Sequence, residues 1–176
     1  MKRIETFDLG IVVERRDSSH AWQDHSWSTV AVLPGAPPMN PRGEWRAMES
    51  GAGWTRWLAG TLTVELHRTE TDGYRTNLSG MRPSVYVVLR AADESAHELV
   101  PFAATVSAHE AEAFLDGDDI VSGVIMPPEI MAFVQAFIDA HHVDRPFKKR
   151  QRKPNDDDGQ PEYPLPPTVG RMGHGR

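Results

Sequence analysis

The chain has 176 residues, 39% of them hydrophobic, a formal net charge of −6 and no cysteine. That length supports one domain with a core of its own, needing neither metal nor disulfide staples. The missing thiols exclude a cysteine nucleophile, sulfur-ligated zinc, iron–sulfur clusters and a disulfide framework, and they suit a reducing cytoplasm.

From Phe7 to Arg15 a short apolar run reads as the first strand, and Trp27 to Leu33 as the second, closed by the turn pair Pro34-Gly35. The proline-rich stretch that follows reads as a loop without regular backbone. Glu44 to Met48 and Trp54 to Ala59 are short strand candidates. Thr61 to His67 alternates, with Leu62, Val64 and Leu66 on one side and Thr63, Glu65 and His67 on the other. The same rhythm extends through Tyr74 to Leu78. After the Ser79-Gly80 turn, Val85, Val87 and Leu89 form an inward row and Tyr86, Val88 and Arg90 face the opposite way. Leu99 to Val106 is a further strand.

Ser107 and Glu110 have the spacing of a capping box, which predicts a short helix with Ala111, Phe114 and Leu115 on its apolar side and Gly117 as its stop. Ile120 to Met126 reads as one more strand. Pro127-Pro128 then opens a helix whose packing face holds Ile130, Phe133, Val134, Phe137 and His141. The expected fold is α+β, a mainly antiparallel β-sheet domain, sandwich or curved sheet, with one short helix and one C-terminal packing helix. The domain spans residues 1–144, and residues 145–176 form a basic, then proline- and glycine-rich, disordered tail.

Charge divides along the same line. The segment from Arg145 carries 8 basic and 4 acidic residues, whereas the body before it carries 11 basic and 21 acidic, or −10. An acidic body disfavours nucleic acid as a partner, because phosphate contacts reward clustered cations. No apolar run reaches the roughly 20 residues a bilayer span needs, and Met1 to Gly10 lacks the apolar centre of a signal peptide, so a cytoplasmic protein away from membranes is expected.

If the three consecutive strands are neighbours, Glu65, His67, Arg75, Asn77, Tyr86 and Arg90 share one polar face. Arg75 and Arg90, with Arg82 nearby, would hold a carboxylate or phosphate, and His67 with Glu65 would exchange a proton. All five tryptophans lie between Trp22 and Trp57. They read as an aromatic core between sheet layers, with Trp22, set among polar neighbours, as the exposed member of a partner-binding patch. The eight histidines show no metal-ligand spacing, and Asp116, Asp118 and Asp119 lack the order of a calcium loop, so no metal site or cofactor is expected. His141-His142 fits a helix C-terminus. Lys148, Lys149 and Arg150 read as an electrostatic recruiting arm toward a partner.

The phrases GIVVERR, STVAVLPGA, AGTLTVELHRTETDGYRTNL, RPSVYVVLR and HHVDRPFKKR resemble a bacterial family, domain-of-unknown-function family 3305, over roughly Leu9 to Arg152. The resemblance implies genes neighbouring molybdenum-dependent formate dehydrogenases and their maturation factors. It also implies a non-catalytic accessory or assembly protein that binds an oxidoreductase subunit or a maturation factor. The alternative is a small enzyme or a carrier of an anionic ligand, a pterin or phosphate, on the polar strand face.

Overall fold

The computed structural model describes residues 4–144. Strand β1 (Ile4–Asp17) contains the wholly buried run Leu9 to Val13, the pattern of a strand covered on both faces. With β2 (His25–Pro34), β3 (Arg46–Gly51) and β4 (Trp54–His67) it forms a four-stranded antiparallel sheet in the order β2-β1-β4-β3. Strands β5 (Ser84–Ala91), β6 (Leu99–Thr105) and β7 (Ile120–Ile125) form a second antiparallel sheet in the order β6-β5-β7.

The two sheets pack face to face, β2 against β7 and β4 against β6, so the expected β-rich architecture takes the form of a sandwich. Leu62, Val64 and Leu66 from one sheet meet Val85, Val87 and Leu89 from the other in a single core. Each such side chain, fully buried, stabilises the fold by about 1.5–3 kcal/mol, which is why the alternation fixes which face turns inward.

The strand expectations are corrected at two places. Trp54 to Ala59 and Thr61 to His67 are one continuous strand, carried across Gly60 at φ +143, a conformation that side chains disfavour. A Cβ at Gly60 would stand 2.5 Å from Pro41 Cα, because the proline-rich loop crosses the sheet there. Thr61 N–H donates to the Met39 carbonyl at 2.9 Å, and its hydroxyl donates to that of Pro37 at 2.9 Å.

The second correction is Tyr74 to Leu78, which is not a strand. A 3₁₀ turn at Arg68–Glu70 leads into helix α1 (Thr71–Ser79). Tyr74 and Leu78 are both two apart from Thr76 and four apart from each other, so they satisfy strand and helix spacing alike. Tyr74 is fully buried and its hydroxyl accepts the His67 N–H at 3.0 Å, a contact that the helix provides.

Helix α2 (Ala108–Glu112) is short, as expected, but its capping differs. Ser107 Oγ accepts from Glu110 N–H at 3.3 Å, while the Ser107 N–H is taken by Thr105 Oγ1 at 3.0 Å rather than by Glu110. Leu115, expected on the apolar side, is exposed. Helix α3 (Pro128–His141) buries Ile130, Val134, Phe137 and Ile138, and Phe133 packs edge-on against Phe7 at 5.3 Å.

Helices α1 and α3 close the end of the sandwich where β1 begins and β4 finishes. Arg68 Nε donates to His141 Nδ1 at 3.1 Å, and His141 Nε2 faces Glu5 at 3.5 Å. Arg75 Nη1 lies 2.6 Å from His142 Nε2, and His142 Nδ1 lies 3.0 Å from Thr71 Oγ1. An arginine can only donate, so His142 accepts through Nε2 and carries its proton on Nδ1. The basic arm, Lys148, Lys149 and Arg150, and the rest of the tail from Arg145 lie outside the described residues.

Candidate functional site

The polar face expected from three neighbouring strands does not form. Glu65 and His67 sit on β4, Arg75 and Asn77 on α1, and Tyr86 and Arg90 on β5 of the other sheet. Asn77 works as a clamp. Its side-chain amide donates to the carbonyls of Ser84 at 2.8 Å and Val106 at 2.7 Å, and its Oδ1 accepts from Ser84 N–H at 3.0 Å. Arg90 makes a paired bond to Asp119 at 2.9 and 2.7 Å, and its guanidinium carbon lies 3.5 Å from the centre of the Phe102 ring. That bond holds the Asp119 carboxyl below its ordinary range. Both residues are committed to holding the fold, and with Arg75 on a separate element there is no shared anion site. Glu65 and His67 do come together, Oε2 and Nε2 standing 3.3 Å apart.

The tryptophans divide. Trp27, Trp45 and Trp57 cluster at the end away from α1 and α3; all three are half-buried, and Trp27 and Trp45 pack against the core, so the aromatic-core reading holds for those two. His97, from the loop between β5 and β6, fills the cluster, with its ring 4.2 Å from Trp45, 5.0 Å from Trp57 and 5.8 Å from Trp27. Burial, and then the nearby Arg15 charge, push the His97 pKa down. Trp54 lies instead under the Arg56 guanidinium at 4.7 Å. Trp22 is 98% exposed in the connection between β1 and β2. Nothing in the sequence around His97 signals its position, because the contact is made across two sheets.

The two seams of the sandwich differ. At the β2–β7 seam Thr29 N–H donates to Ser122 Oγ at 3.2 Å. At the β4–β6 seam no hydrogen bond crosses among the described residues, and a groove of about 500 Å³ lies there. Leu62, Thr63, Glu65 and His67 form one wall, and Phe102 to Thr105 form the other. Glu110, Ala113 and Phe114 close it from α2 and the turn beyond. Phe102 and Phe114 meet edge-on at 6.1 Å, and the Glu110 carboxylate accepts the Thr105 hydroxyl. The volume suits a side chain or small molecule, and the polar lining includes the carboxylates of Glu65 and Glu110. Sequence reading reached Glu65 and His67 but missed Glu110, Phe102 and Phe114, since Glu110 carried only a capping signal.

The chain belongs to the family described as Protein of unknown function (DUF3305), whose model matches residues 8–151. That match includes the positions of Lys148, Lys149 and Arg150. No curated protein and no solved structure matches the chain.

Proposed function

We propose that this protein acts by binding another protein rather than by catalysis. In this reading it is an accessory or assembly factor for a molybdopterin-dependent oxidoreductase in the cytoplasm. The observation that carries the binding reading is Trp22, a tryptophan 98% exposed at the turn of the hairpin formed by β1 and β2. An indole left in water loses the gain of burial, and large aromatics seated in a partner's pocket dominate protein interfaces. The two arms of the hairpin pair from Leu9↔Pro34 to Asp17↔His25, so the side chain is presented on a supported turn.

The choice of formate dehydrogenase as the enzyme served, and of a subunit or a maturation factor as the partner, rests on the family resemblance and the gene neighbourhood that the resemblance implies. An acidic body argues against nucleic acid in that role. Deleting the gene and measuring formate dehydrogenase activity and molybdenum content during formate-dependent growth tests the proposal. Both should fall. Unchanged values would overturn the assignment to this enzyme.

A further inference from the structure

We infer that the open seam between β4 and β6 is a docking groove for an extended, basic segment of the partner protein, an inference that rests on the protein-binding reading and deepens it. The backbone supplies the first argument. Strand β3 pairs with β4 only from Trp54 to Leu58, so beyond that point β4 is hydrogen-bonded to β1 on one side and, among the described residues, to no strand on the other, where β6 stands across the groove. Thr61 N–H goes to Met39 and His67 N–H to Tyr74, neither of them a sheet partner. Backbone groups alternate along an antiparallel strand, so Thr63 and Glu65 aim theirs toward the same edge. Those two residues line the groove. An edge of this kind accepts an added strand.

The walls identify the occupant by charge. Glu65 and Glu110 give the groove lining two carboxylates, and His67 lies beside Glu65. Phe102 already carries one guanidinium, that of Arg90, over its ring, and Phe114 extends the aromatic wall. An arginine side chain fits both features, its methylenes along the phenylalanines and its head on the carboxylates. A second copy of this chain fits poorly. Edge-to-edge pairing would bring Glu65 close to its own equivalent, and like charges across a ladder are destabilising.

The test titrates the full-length, ¹⁵N-labelled protein with an acetylated, amidated octapeptide of alternating arginine and valine. Three comparison probes are the glutamate–valine peptide, the arginine–valine peptide N-methylated at alternate positions, and arginine amide. The arginine–valine peptide should shift the resonances of Thr63, Glu65, His67, Ala103 and Phe114. The double variant Glu65→Gln/Glu110→Gln, checked for an unchanged spectrum, should bind it about tenfold more weakly, because charge-assisted bonds are lost. N-methylation should weaken binding by a similar factor. Equal binding of the acidic peptide, shifts centred elsewhere, or an unaffected double variant would overturn the groove. Binding of arginine amide or the N-methylated peptide as tight as the parent would overturn the extended segment in favour of a lone cation. A peptide bound at the groove, with formate dehydrogenase unaffected by gene deletion, would overturn the enzyme assignment alone.

Discussion

The His97 imidazole lies flat against the Trp45 indole, with ring centroids 4.2 Å apart and planes inclined by only 20°. The contact ties the loop after β5 to the residue just before β3, and so joins the two sheets at the end that the helices leave open. Glu98 beside it adopts φ 62, and Ala92 N–H donates to the Glu98 carbonyl at 2.9 Å, so the loop is closed tightly behind the imidazole.

Stability should therefore depend on the protonation of His97. Its folded pKa lies below the ordinary value of 6.5, so between the two values the unfolded chain binds more protons than the folded one. The contribution is present above about 6.5 and is lost as the pH falls through the lower folded value. Urea denaturation across pH 5 to 8 should show wild-type stability falling toward acid more steeply than that of His97→Phe, which keeps an aromatic ring without the proton. Parallel slopes would remove His97 from the account.

Gly60→Ala should destabilise the protein by about 1–3 kcal/mol from backbone strain alone, and by more if the Pro41 loop cannot move aside. Thermal melting gives the readout. A change near zero would mean that Gly60 does not hold the positive φ on which the strain rests.

Tyr74→Phe removes the acceptor of the part-buried His67 N–H, and leaving that donor unpaired should cost about 1 kcal/mol, the low end of the range for a buried group. Burial pushes the pKa of this hydroxyl up to about 12, so it remains a neutral phenol throughout the same pH range. Phe137→Ala, in the centre of the α3 face, should cost about 3–5 kcal/mol. Denaturation with an unchanged m-value is the measurement for both.

Strand periodicity made most of the sandwich legible. The rows Leu62, Val64, Leu66 and Val85, Val87, Leu89 each point one way in the sequence and lie together in the core. The segment after His67 was not legible because Tyr74 and Leu78 satisfy two periods at once. Tertiary packing decided it. The candidate site was only half visible for a related reason: alternation places Glu65 beside His67 on one strand, but no local pattern states that β6 and α2 will stand opposite. Asn77 and Arg90 looked like surface chemistry because their partners, the carbonyls of Ser84 and Val106 and the Asp119 carboxylate, depend on the arrangement of the second sheet.

The most direct test of the binding account uses Trp22. Trp22→Ala alters a side chain 98% exposed, so melting should stay within the small range of surface substitutions, about ±0.5 kcal/mol. Affinity-tagged full-length wild type and the variant would be recovered from formate-grown cells of the native host, and the formate dehydrogenase subunits and maturation factors retained with each quantified by mass spectrometry. The account predicts a retained oxidoreductase subunit or maturation factor with the wild type and a loss of about tenfold or more with Trp22→Ala at unchanged stability. Equal retention by both forms, or none by either, would contradict it.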